Sequence, residues 1–246
     1  MPTKEEINIC FDHYVKSYLE ILKDNKTIHV KYKHSYRVAS LCEEILKRMN
    51  LTEENILLGY FIGLFHDIAR FEEAKLFKKL SNKNHFDHGK EGAEIVKRNH
   101  YFKMPSYTHK IIYDAILNHN KFNISPDLSA SSRFFAKLIR DADKIDIYRV
   151  IYENYHDEYF DQPITDKVGE LFLNHQPLKH EYIKTNSDKV LERLAFIFDL
   201  NYDESFDLLR ENKNFTNYLS SVKVDSKYQN VFANLKEFSL SYLERK

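Results

Sequence analysis

Apolar residues recur at every third or fourth position along most of this chain, which is the spacing of one face of an α-helix. Thr3 and Glu6 form a capping-box pair and predict a first helix that runs to about Leu22. The same periodicity predicts helices over residues 28–49, 52–69, 71–80, 88–98, 107–119 and 132–155, with loops at 81–84 and 121–131. Further amphipathic stretches fill the C-terminal third. We therefore predict an all-α protein, a helical bundle with a C-terminal helical extension.

The most apolar stretch, Ile56 to Phe65, runs for ten positions without a charge and ends at the dipeptide His66-Asp67. Such a segment belongs in the middle of a core, where a charged group is tolerated only if it is paired or bound to a metal. The position of Asp67 therefore predicts a cationic partner for its carboxylate. Gly59 and Gly63, four residues apart, predict that a neighbouring helix approaches this one closely.

The composition argues against several classes of protein, among them β-rich, nucleic-acid-binding and membrane proteins. Only five glycines and five prolines occur in 246 residues, which supports the all-helical prediction because hairpin turns depend on such residues. Lysine plus arginine and aspartate plus glutamate number 37 each, so no net field favours a nucleic-acid polymer or a membrane as partner. Two isolated cysteines, Cys10 and Cys42, and no apolar run of about 18 residues indicate a cytoplasmic protein. We expect a core domain over 1–160 and a dependent helical extension over 161–246.

Six residues with metal-binding side chains fall on apolar helical faces or at helix ends. They are His34, His66, Asp67, His88, His119 and Asp143. Each histidine by itself has a second interpretation as a hydrogen-bonded core residue, and Asp143 has one as an ion-pair partner of Arg140 or Arg149. Six inward-pointing polar groups are hard to satisfy with hydrogen bonds alone, whereas bound cations would couple them all. The joint pattern therefore predicts a metal centre in the core.

The order of these residues also matches a known pattern. His34 is followed by His66-Asp67 within Phe-His-Asp-Ile-Ala-Arg, and then by Asp143 within Arg-Asp-Ala-Asp-Lys-Ile-Asp. This arrangement resembles the HD superfamily of metal-dependent phosphohydrolases, and His88 and His119 match the additional histidines of its two-metal members. The resemblance implies one ion held by His34, His66, Asp67 and Asp143, and a second held by His88 and His119, with Asp67 bridging.

Two positions depart from the family pattern without removing a ligand. Ala69 stands where many members have glycine, and Asn120 stands where several have a second histidine. An imidazole-rich set favours iron, manganese, cobalt, nickel or zinc over magnesium, which prefers oxygen ligands. We therefore expect divalent cofactors, two in number, of one of those five metals.

The function that the resemblance implies is hydrolysis of a phosphomonoester or phosphodiester, such as a nucleotide, by a metal-activated water. Asp67 is the central catalytic residue of this prediction. Arg37, Arg70 and Lys144 lie close to the ligands in sequence and would steady the charge on a phosphoryl group. Ordinary ion pairs are the alternative for these three basic residues. The charged stretch 72–79 reads as a solvated helix face, and His85 as a loop or pocket residue.

Two other functions remain open from the sequence. The ligand set also resembles that of the di-iron oxygenases of this superfamily, and a nucleotide-binding module with a structural metal is a third possibility. An oligomer is possible.

Overall fold

A computed structural model gives the structure of residues 1–77, 86–155 and 157–246. These residues form two compact units, Met1–Asp143 and Lys144–Lys246. The predicted loop 81–84, the end of the helix predicted over 71–80, and the two histidines His85 and His156 lie outside the described residues. The domain boundary that we expect after residue 160 stays a prediction.

Helices build the first unit, and the last of them continues into the second. They are α1 (Lys4–Ile21), α2 (Lys26–Arg48), α3 (Glu53–Phe65), α4 (Ala69–Phe77), α5 (His88–Asn99), α6 (Ser106–Asn118) and α7 (Ala130–Asn154). The predicted capping box opens α1, since the Thr3 hydroxyl accepts from Glu6 N–H and the Glu6 carboxylate accepts from Thr3 N–H. The Thr52 hydroxyl caps α3 in the same way by accepting from Asn55 N–H.

Helix α3 ends four residues before the predicted position, at Phe65 rather than Ala69. The His66 Nδ1–H donates to the carbonyl of Gly63 at 2.7 Å. A side-chain donor thus takes a carbonyl that would otherwise accept the next helical N–H, and the chain turns at His66 and Asp67 before α4 begins. The early end of α3 places this dipeptide at a turn between two helices.

The apolar run of α3 packs against α2 and is buried, as predicted, except at the half-buried Leu57. A Cβ on Gly63 would lie 2.7 Å from the Cα of Ala39, and a Cβ on Gly59 would lie 2.3 Å from a Leu46 methyl group. Both glycines therefore allow the close approach that the sequence predicts. Phe11 of α1 completes this core through an edge-to-face contact with Phe65, at 5.4 Å between ring centroids.

Short helices and one pair of very short strands form the second unit. These are β1 (Tyr159–Phe160), α8 (Asp166–Leu173), α9 (Asn186–Leu194), α10 (Asp203–Glu211), α11 (Asn214–Ser221), β2 (Lys223–Val224) and α12 (Gln229–Glu244), with 3₁₀ turns at His180–Tyr182, Ala195–Asp199 and Ser226–Tyr228. The strands pair in parallel, with Tyr159 opposite Lys223. Two residues are too few for an alternating pattern, so the sequence did not predict them.

The core of the second unit forms around Tyr148, Phe215 and Tyr218, which are fully buried. The all-α class predicted from the sequence is confirmed. Within the described residues, no helix is both long enough and apolar enough to span a bilayer.

Candidate metal centre

Five elements of the first unit bring the six predicted ligands to one place. His34 lies inside α2, and His66 and His119 stand at the C-terminal ends of α3 and α6. His88 is the first residue of α5, and Asp143 lies on α7. The Asp67 carboxylate lies at the centre, with 4% of its side chain exposed. Separations along the chain of more than one hundred residues are thus reduced to a few ångströms.

One carboxylate oxygen of Asp67 faces the first pair of imidazoles. The Oδ2 atom lies 3.9 Å from His34 Nε2 and 3.5 Å from His66 Nε2. Asp143 completes this group, because its Oδ1 atom lies 3.1 Å from His34 Nε2 and 3.8 Å from His66 Nε2. Two imidazole nitrogens and two carboxylate oxygens therefore converge on one point.

The other carboxylate oxygen of Asp67 faces the second pair. The Oδ1 atom lies 3.7 Å from His88 Nε2 and 3.6 Å from His119 Nε2. The rings of His88 and His119 meet edge to face, with centroids 5.0 Å apart. The two oxygens of a single carboxylate thus point to two separate imidazole pairs.

Backbone carbonyls set the orientation of two of these rings. The Nδ1–H of His66 donates to Gly63 O, and the Nδ1–H of His119 donates to Ile116 O, each at 2.7 Å. A neutral imidazole with its proton on Nδ1 carries a bare lone pair on Nε2. Neither Nε2 atom has a hydrogen-bond partner among the described residues, although both are buried. Buried lone pairs aimed at a carboxylate oxygen fit a divalent cation.

The protonation states also suit a metal. Burial lowers the pKa of His66, and burial lowers that of His88 well below its usual value, so both imidazoles favour the neutral, metal-binding form. Burial alone would raise the pKa of Asp67, but the Lys31 ammonium holds it well below the usual range. The pKa of Asp143 is likewise lowered, because its hydrogen bond with His34 outweighs the effect of burial. Both carboxylates are therefore anionic, the form that binds a cation.

Two basic residues lie beside Asp67, one of which the sequence reasoning missed. Lys31 Nζ is 2.6 Å from Asp67 Oδ2, and the available signal was its position three residues before His34 on the same helix. Arg70, a predicted donor, places its Nε 3.6 Å from Asp67 Oδ1 and an Nη1 2.6 Å from Glu73. The interpretation of 72–79 as a solvated face is wrong for Glu73, which is fully buried because it binds Arg70.

A second missed residue holds the end of α6. The buried Arg140 guanidinium on α7 donates to the carbonyls of Asn118, His119 and Phe122, at 3.5, 3.5 and 3.2 Å. The last carbonyls of a helix have no intrahelical partner, so a cation there both satisfies and fixes them. Arg140 therefore positions the turn that carries His119. From the sequence, the role considered for Arg140 was that of an ion-pair partner of Asp143.

The remaining predicted donors have different surroundings. Arg37 is partly buried on α2, one turn after His34. Lys144, the first residue of the second unit, places its Nζ 2.8 Å from Asp199 Oδ2. Asn120 donates to Asp87 Oδ1 at 3.0 Å, next to His88. The catalytic roles of Arg37, Arg70 and Lys144 stay predictions.

One of three comparisons with known proteins finds a match. Comparison with curated proteins and with solved structures gives no match. The family model of the HD domain, in contrast, matches residues 32–148, a range that contains all six predicted ligands. Residues 32–148 are therefore an HD domain, the domain of the HD superfamily of metal-dependent phosphohydrolases.

Proposed function

We propose that this protein is a two-metal phosphohydrolase that cleaves a phosphomonoester or phosphodiester, with a nucleotide as the expected substrate class. The observation that supports the proposal most directly is the position of Asp67. Its two oxygens face two imidazole pairs, His34 with His66 and His88 with His119. One carboxylate between two such pairs is the arrangement that a bridged pair of cations requires.

The donor set points to a class of metal. Four imidazoles and two carboxylates favour iron, manganese, cobalt, nickel or zinc over magnesium. Bound ions of this kind would supply an attacking water of lowered pKa and neutralise charge on the phosphoryl oxygens. Asp67 would hold both ions and keep them at a fixed separation.

The chain itself would orient the substrate. Glu73 holds one nitrogen of the Arg70 guanidinium at 2.6 Å and so fixes this group next to Asp67. A guanidinium carries five N–H donors in a rigid plane, which suits two oxygens of a phosphoryl group. Arg37, one turn from His34, would contribute a second guanidinium. Lys144 would have to exchange Asp199 for the substrate, so we expect its substitution to affect turnover less than that of Arg70.

The test is a hydrolysis assay with defined metals. Protein stripped with a chelator is reloaded with each of the five metals or magnesium, and phosphate release is followed under nitrogen. The substrates are p-nitrophenyl phosphate, bis-(p-nitrophenyl) phosphate and a panel of nucleoside monophosphates. We expect turnover with several of the five metals, none in the stripped protein, and loss of both metal and turnover in Asp67→Asn. The matched control is Asp166→Asn, an exposed residue of the second unit.

Three results would contradict the proposal. Hydrolysis that persists in the stripped protein would remove the metals from the reaction. Activity that requires iron and oxygen would assign the site to the oxygenases. Tight metal retention with no turnover of any ester would make it a structural centre.

A further inference from the structure

Lys31 makes the shortest charged contact to the central carboxylate. Its Nζ lies 2.6 Å from Asp67 Oδ2, and the Lys31 side chain is only 15% exposed. The residue sits on α2 one turn before His34. A lysine in this position lies against the ligands themselves.

The oxygen that Lys31 contacts is also the oxygen of the first imidazole pair. Asp67 Oδ2 faces His34 Nε2 and His66 Nε2 at 3.9 and 3.5 Å. A cation held by these nitrogens and the ammonium of Lys31 would share one oxygen, at a separation below about 5 Å, where their repulsion far exceeds thermal energy. The ammonium and the ion therefore compete for Asp67.

We propose that Lys31 is a further functional residue of this site and that it changes partner. Its ammonium neutralises Asp67 until a divalent ion binds at His34, His66 and Asp143, and the ion then displaces it towards the phosphoryl oxygen of the substrate. The second half of this inference rests on the proposed phosphohydrolase function. The first half concerns metal binding alone.

The chemistry of the side chain fits this exchange. Lysine carries a compact charge on a flexible stem, whereas arginine presents a rigid plane. Arg70 is held on the Oδ1 side of Asp67 by Glu73. Lys31 lies on the Oδ2 side, so the two cations flank the carboxylate that would bridge the ions. A phosphoryl group bound at those ions would then meet a fixed donor on one side and a mobile one on the other.

Metal titration tests the exchange without any enzyme assay. Lys31→Met removes the ammonium and keeps the length of the stem, and Lys33→Met makes the same change at an exposed position of the same helix. We expect Lys31→Met to bind Mn²⁺ or Zn²⁺ at least about tenfold more tightly than wild type in calorimetry. The same variant without metal should melt at a lower temperature than wild type, because Asp67 loses its partner. Lys33→Met should match wild type in both measurements.

Unchanged or weaker metal binding in Lys31→Met would overturn the exchange. Lys31→Gln serves as the second variant if Lys31→Met does not fold.

Phosphate binding tests the role towards substrate. With metal at saturation, inorganic phosphate should bind about tenfold more weakly to Lys31→Met than to wild type or Lys33→Met, since a charge-assisted donor is lost. Equal phosphate affinity in all three proteins would overturn the assignment of Lys31 to the substrate. This experiment measures phosphate binding and not hydrolysis, so its result is independent of the result of the hydrolysis assay. The phosphohydrolase proposal fails separately if metal-loaded wild type hydrolyses no ester.

Discussion

Gly63 couples the packing of two helices to the geometry of the candidate metal centre, and Gly63→Ala tests that coupling. An added Cβ would lie 2.7 Å from the Cα of Ala39 and 3.0 Å from its backbone nitrogen. These atoms belong to the backbone of α2, so no side-chain rotation relieves the contact. Reaching an ordinary separation of 3.4 Å requires α2 and α3 to move apart by about 0.7 Å.

The cost of this change follows from two opposing terms. Overpacking a close interface costs about 1–3 kcal/mol, while alanine is about 1 kcal/mol better than glycine inside a helix. Because the clash is with backbone, the steric term lies at the upper end, and we expect a net loss of about 2 kcal/mol in the free energy of unfolding. The metal site loses more, since His34 is on α2 and His66 ends α3. A shift of about 0.7 Å between them exceeds the roughly 0.2 Å tolerance of a metal–ligand bond.

Urea unfolding followed by circular dichroism measures the stability, and calorimetric titration with Zn²⁺ measures the affinity. Gly169→Ala is the matched control, because its Cβ would lie 3.6 Å from Ile164, an ordinary contact. This control should be neutral or more stable than wild type by up to about 1 kcal/mol. Gly59→Ala should fall between the two, because its closest contact is a Leu46 methyl group that can move. If Gly63→Ala kept wild-type stability and metal affinity, the argument that the α2–α3 approach positions the ligands would be refuted.

Other predictions test the ligands, the residue that positions one of them, and the second unit. His88→Ala should lower the metal content measured by elemental analysis from two ions to one, whereas two ions retained would exclude His88 as a ligand. Arg140→Met should lower the free energy of unfolding by about 2 kcal/mol and weaken binding of one ion. The control is Arg133→Met, because the half-buried Arg133 also donates to a backbone carbonyl, that of Pro126; equal urea curves for the two variants would argue against the helix-end role. The buried Asp188 carboxylate accepts four hydrogen bonds, and although burial raises its pKa, the bonds from Thr165 outweigh that effect and lower it. Its stabilising contribution is therefore present at neutral pH and is lost progressively as the pH falls from about 4 through the lower pKa of the folded state. Asp188→Asn should thus unfold earlier than wild type in urea at pH 7, and the difference should shrink steadily as the pH falls below about 4; a difference that does not shrink with falling pH would contradict this.

The sequence alone predicted the order and approximate positions of the helices of the first unit and proposed the six candidate ligands. Periodicity and capping residues act over a few positions, so the starts of α1 and α3 could be read from Thr3 and Thr52. The order of the histidines and aspartates indicated the resemblance to the HD superfamily, because metal binding restricts which side chains can occupy those positions. The glycines of α3 indicated a close helix approach for the same local reason.

Only the tertiary structure decided which charged and polar side chains contact one another. It places the Lys31 ammonium against the Asp67 carboxylate, next to the predicted metal ligands. It also buries Glu73, although the composition of the surrounding stretch predicts a solvated helix face. It also uses Arg140 to hold the end of α6, and it ends α3 early because His66 binds the Gly63 carbonyl. These outcomes depend on contacts between residues far apart in the chain or on competition for a single carbonyl. Local periodicity carries no information about either, so they appear only when the helices are packed.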